Sequence, residues 1–233
     1  MSDEGEMARA EVLPQGTREV NAAIRRALRG SPEVTYGPVH GQDCLAVGLD
    51  AGATVTVEGS AGDYFAALNQ GATVRLLGRA GRFTADTMTA GRVVIEESSG
   101  AGLGFSLYGG TVLVKGHAGG RVGQLNKGGT IVVAGNVGDL TGLYMMGGRT
   151  VIFGNAGEKT GDWMVGGAIF VAGQVASLGH NVRVVEPTDE DLNDLETLFE
   201  TLDISPPPGP FKKLVREKLR PFYRPRKKGR DGQ

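Results

Sequence analysis

The chain has 233 residues, 40% of them apolar, and a formal net charge of −1. That allows one or two domains with a real core and excludes a wholly basic nucleic-acid binder. It also excludes an internal disulfide, because Cys44 is the single cysteine, and a spanning helix, because no apolar run approaches the ~20 residues a bilayer needs. The opening MSDEGEMARAEV lacks the basic and apolar regions of a signal peptide, so the cytoplasm is the expected compartment. The 39 glycines are more than twice the usual ~7% and follow no collagen-like triplet, so the fold itself must demand them.

In chain order, TREVNAAIRRALRG predicts a first helix, with Thr17 as N-cap, Val20, Ala23, Ile24 and Ala27 on one face and Gly30 as the stop. DCLAVGLDAG reads as a leading strand. From residue 52 a period of nineteen takes over, with units starting at 52, 71, 90, 109, 128, 147 and 166. Three positions into each unit stand Val55, Val74, Val93, Val112, Ile131, Thr150 and Ile169. Five positions in stand Val57, Leu76, Ile95, Val114, Val133, Ile152 and Val171, which makes a short period-2 strand in every unit. Position seven is Gly59, Gly78, Glu97, Gly116, Gly135, Gly154 and Gly173, and glycine holds position ten as far as Gly157, so turns recur in register.

One strand of about five residues cannot bury its apolar face alone, whereas stacked units pair their backbones and share one core. The fold expected is all-β: a parallel β-solenoid of about seven coils, with flanking N- and C-terminal helices. Nineteen residues at ~3.3 Å give a coil of roughly 60 Å, enough for three short sides. A flexible linker would not keep phase, a dinucleotide fingerprint needs a helix after its glycines, and a hexapeptide β-helix would repeat at eighteen.

After the solenoid, TDEDLNDLETLFETL predicts a second helix, with Thr188 as N-cap and Leu192, Leu195, Phe199 and Leu202 on one face. Residues 186–203 hold eight acids and no base. SPPPGP then breaks the chain, and the last 23 residues carry ten Lys or Arg against two acids. The organisation expected is 1–50, N-terminal helix and leading strand; 51–180, solenoid; 181–205, acidic helix; 206–233, basic tail.

No catalytic group, cofactor ligand or metal set converges in the sequence. His40, His117 and His180 lie at unrelated phases, Cys44 reads as a buried thiol, and Asp139, Glu158 and Asp162 read as solvated corners. Tyr144, Met145, Met146, Trp163 and Met164 cluster at positions 16 to 18 of neighbouring coils, either filling the interior or facing a partner. In the tail, Phe211, Leu214, Leu219, Phe222 and Tyr223 are expected to anchor on a partner, with prolines 206–208 holding the segment away from the rod. Neutralisation of the acidic helix is the simpler alternative for its charge.

The run GDLTGLYMMGGRTVIFGNAGEKTGDWMVGGAIFVAG resembles the GXGXG domain at the C-terminal end of the glutamate synthase large subunit. Tyr144, Met145, Gly147, Gly148, Gly154, Gly157, Met164, Gly166 and Gly167 carry that resemblance. It spans roughly residues 18–180 and includes GSAGDYFAAL as a first coil, while Glu97 departs from the usual corner glycine. The resemblance implies a right-handed β-helix without catalytic residues. Free-standing relatives are the small subunit of split glutamate synthases and of methylamine-glutamate N-methyltransferase (N-methylglutamate synthase), and one of the subunits of formylmethanofuran dehydrogenase. VASLGHNV and the closing FKKLVREKLRPFY look closer to the first group. The implied partners are an amidotransferase-like subunit and an FMN-binding synthase-like subunit, which would hold the FMN and an iron–sulfur cluster; no cofactor, nucleic acid or membrane is implied for this chain. An autonomous enzyme or carbohydrate-binding β-helix is the rival class, and strict nineteen-residue spacing leaves no insertions to wall a groove.

Overall fold

The computed structural model describes residues 16–219. Its elements are α1 (Thr17–Ala27), β1 (Glu33–His40), β2 (Thr54–Ser60), β3 (Gln70–Leu76), β4 (Ala90–Ile95), β5 (Thr111–Val114), β6 (Thr130–Val133), β7 (Arg149–Ile152), β8 (Ala168–Val171), β9 (Val182–Val185), α2 (Asp189–Leu202) and β10 (Lys212–Arg216). Strands β2 to β8 pair in parallel at the nineteen-residue spacing, as in Val93↔Val112, Val112↔Ile131 and Ile131↔Thr150. A second side repeats as single bridges, Ala80↔Ser99↔Ala118↔Val137↔Ala156↔Val175. The molecule is a parallel β-solenoid of about seven turns.

Residues at positions three and five point inward and are buried without exception, forming one continuous core. Position four faces out, and its residues change along the rod from Thr56 and Arg75 to Val94, Leu113, Val132, Val151 and Phe170. The apolar end of that column is covered by α2 through Leu195, Leu198, Phe199 and Leu202, with Phe211 alongside. Leu192, expected on the packed face, is exposed, and Leu198 takes its place. Thr188 does cap this helix: its hydroxyl accepts from Asp191 N–H while the Asp191 carboxylate accepts from Thr188 N–H.

Both ends of the stack need closing, because an unpaired rung exposes backbone donors and acceptors. At the N-terminal end α1 lays Val20 and Ile24 on the core. Its polar side chains replace the missing coil: Asn21 Oδ1 accepts from Ala46 N–H, Asn21 Nδ2 donates to Cys44 O, and Arg25 donates to Val47 O. Gly16, not Thr17, is the N-cap; the Thr17 hydroxyl donates to Asp43 O instead. The helix ends at Ala27 with Leu28 as C-cap, short of Gly30. The leading strand is β1 rather than 43–52. It pairs in parallel with β2, Val34↔Val55 and Tyr36↔Val57, with a register shift before Val39↔Gly59. Residues 43–49 form a left-handed corner in which Cys44, at φ 55°, turns outward, so its thiol is exposed and not buried.

The C-terminal end departs most from expectation. Strand β10 inserts antiparallel between β8 and β9, Leu214 opposite Ile169 on one side and Val184 on the other. Leu214 is buried in the main core and Phe211 in the cluster under α2, so this part of the tail closes the rod and does not run away from it. Lys213 donates to both carboxylate oxygens of Asp191 at 2.6 Å, which ties β10 to the start of α2. Of the other expected anchors, Leu219 is exposed, while Phe222 and Tyr223 lie outside the described residues. Among the described residues no helix is long and apolar enough to cross a membrane.

Candidate functional site

The third side of each coil is built from an unusual backbone. Positions 12, 14 and 16 adopt left-handed φ in successive coils: Tyr64, Ala66 and Leu68 at 59°, 53° and 58°, then Phe83, Ala85 and Thr87 at 54°, 57° and 52°. Farther along, Ser106, Leu125, Tyr144 and Trp163 continue position 16 at 53–58°. A non-glycine residue in this region costs roughly 1–2 kcal/mol, and such strain persists only where surrounding bonds over-determine it. Here the bonds run both ways. Phe83 and Thr87 N–H groups donate forward to Ala101 and Phe105, at 2.9 Å each, while Ala85 N–H donates back to Phe65 at 2.8 Å. Each coil is thereby stitched to both neighbours. Position 14 faces the crowded interior, where Gly142 sits at φ +74° and a Cβ would collide with Ile169 Cδ1.

The outward residues of this side form an apolar column along the rod. Leu68, Tyr108, Tyr144 and Met146 are 49%, 52%, 41% and 48% exposed. Tyr64 stacks on Phe83 at 5.2 Å, Phe83 meets Phe105 edge-on at 5.9 Å, and Trp163 stacks on His180 at 5.0 Å. Of the residues singled out in the sequence, Tyr144 and the half-buried Trp163 belong to this face. Met145 and Met164 do not: both are fully buried core residues, one position further along, where the chain turns inward. Phe211 is likewise interior. Residue type alone groups these side chains together; the alternating left-handed turns divide them between interior and surface.

Polar groups on this side are engaged structurally. Lys127 donates to Ser106 Oγ at 2.7 Å with its charge 3.8 Å from the Tyr108 ring centre. A donating ammonium leaves the hydroxyl as acceptor, so the pair is a tether and not a nucleophile with its base. Burial pushes the Asp86 carboxyl up, against the Thr87 hydrogen bond and the Lys127 charge. Asp162, expected to be solvated, is buried and accepts from His180 N–H at 2.7 Å, with its Oδ1 also 2.8 Å from Nδ1 of that ring. That carboxylate sets the imidazole against Trp163.

The corners repeat a second device, in which a side chain accepts the backbone N–H one coil later. His117 Nδ1 accepts from Asn136, Asn136 from Asn155, Asn155 from Gln174, and Asp139 from Glu158. Glu97 keeps its corner: Gly116 N–H donates to its carbonyl at 2.8 Å, and its carboxylate pairs with Arg79 at 3.1 Å. At Glu96, burial alone would raise the carboxyl, but hydrogen bonds from Lys115 and Arg75 outweigh it and hold it low. Among the described residues no group of three His, Cys, Asp or Glu side chains could hold a metal ion.

A family model described as the GXGXG motif matches residues 39–198. No curated protein matches the chain.

Proposed function

The chain belongs to the GXGXG motif family, and on that premise we propose that it is a structural subunit of a glutamate-synthase-like flavoenzyme complex. In this reading it braces an amidotransferase-like subunit and an FMN-binding synthase-like subunit, which hold the FMN and the iron–sulfur cluster. A split glutamate synthase or a methylamine-glutamate N-methyltransferase is the complex proposed. The observation that carries the reading is the apolar column of Leu68, Tyr108, Tyr144 and Met146. It runs along a side whose backbone is strained yet fixed by bonds to both neighbouring coils. Exposed apolar surface in register over several coils marks an interaction face, and a rigid rod is suited to holding two catalytic subunits at a set separation.

The test is reconstitution. The purified chain is expected to turn over neither glutamine nor methylamine and to bind no FMN. Mixed with the two partner subunits, it is expected to co-elute with both and to raise glutamine- or amine-dependent product formation at least tenfold. Turnover by the chain alone, or full activity of the partners without it, overturns the proposal.

A further inference from the structure

Beside the C-terminal end of α2 lies an open groove of about 350 Å³. Phe199, Ile204 and Pro206 form its apolar lining, and Glu196, Glu200 and Asp203 line it with carboxylates. The end of a helix is the negative end of its dipole, and α2 has no base in its last turn, so acids there sit against the field. Among the described residues none of the three forms an ion pair. Arg92, which reaches this end of the helix, donates to the Thr201 carbonyl at 3.3 Å instead.

We propose that this groove receives the chain's own basic segment, Arg224–Arg230. That segment, RPRKKGR, has five bases and no acid. Its charge complements the groove, and the aliphatic stems of Arg and Lys together with Pro225 suit the apolar lining. Chain length permits the return. Phe211 packs against Phe199, 6.1 Å between ring centres, so the groove lies where β10 begins. Leu219, eight residues later, leaves beside Asn181, whose side chain bonds both the N–H and the carbonyl of Lys218. Eight residues span at most ~28 Å, and the eight from Leu219 to Lys227 cover the same distance back. Tethering places the segment at an effective concentration of order millimolar, so a weak electrostatic contact suffices. The contact is internal to the chain and stands whether or not the proposed partners bind.

The experiment is zero-length carbodiimide cross-linking of the full chain, which joins a lysine to a carboxylate only at contact, followed by peptide mass spectrometry. Lys213 to Asp191 is the internal control for an intact fold. Within monomeric protein, Lys227 or Lys228 is expected to link to Glu196, Glu200 or Asp203, with yield falling at least fivefold in 1 M salt. In a Glu196→Gln, Glu200→Gln, Asp203→Asn variant that retains the control link, no other carboxylate should replace them. The proposal is overturned if these lysines link to none of the three, if the links form only between two chains, or if the variant redirects them elsewhere at equal yield.

Discussion

Asp191 does two jobs at the C-terminal end of the rod, and its removal should open that end selectively. Its carboxylate accepts from the backbone and hydroxyl of Thr188, at 2.8 and 2.9 Å, and binds Lys213 at 2.6 Å. The two charged side chains are only 17% and 19% exposed. Asp191→Ala removes half of the capping box, about 1 kcal/mol, and strands a mostly buried ammonium, about 1–3 kcal/mol more. The expected loss is roughly 2–4 kcal/mol, with Asp191→Asn nearer half because its amide oxygen can still accept from Thr188. Repeat arrays need not unfold as one unit, so the assay should be local: hydrogen exchange of β9 and β10 amides beside urea unfolding. Burial alone would raise the Asp191 carboxyl, yet the bonds from Lys213 and Thr188 outweigh it and hold it low. Its folded value is therefore below the unfolded one, near 3.9. The stabilisation is fully present above the unfolded value and is lost as pH falls through the folded one. The difference between wild type and Asp191→Ala should shrink correspondingly in acid. A loss under about 0.5 kcal/mol, or unchanged exchange of residues 213–216, would refute the coupling of β10 to α2.

Thr150 stands at an inward position otherwise held by Val or Ile, and its buried Oγ1 has no hydrogen-bond partner among the described residues. Thr150→Val should stabilise by about 1–2 kcal/mol, read as a higher Tm; a lower Tm would show that the hydroxyl is satisfied. Asp86 runs opposite to Asp191: burial raises its carboxyl, so its charged form opposes folding above the folded value and the penalty disappears in acid. Asp86→Asn should raise the urea midpoint at pH 7 and leave it unchanged near pH 3, and an equal gain at both would separate the effect from titration.

The parts of the fold that repeat were legible, because a nineteen-residue period with apolar positions three and five can be satisfied only by stacking. The parts that occur once were not. Strand β10 is antiparallel and belongs to no coil, and its Lys-rich sequence conceals that Phe211 and Leu214 are both inward. A signal for α2 was present and unused: position four turns from Thr56 and Arg75 to Val94, Leu113, Val132, Val151 and Phe170, an outward column that only a covering element would leave apolar. The candidate face was half legible. Tyr144 and Trp163 could be picked out by type, but Met145 and Met164 point inward because the preceding residues are left-handed, a state that bulky side chains rarely adopt and that sequence pattern does not announce.

The most direct measurement of the central claim is the affinity of the chain for its amidotransferase-like and synthase-like partners with Tyr144→Asp and Met146→Asp combined. Because both side chains are outward, the variant should melt within about 2 °C of wild type, while Kd for at least one partner weakens a hundredfold or more. A control away from this column, Lys115→Ala, should change neither, since its exposed pair with Glu96 contributes under about 1 kcal/mol. A stable double variant that binds both partners as tightly as wild type would contradict the assignment of this face as the docking surface.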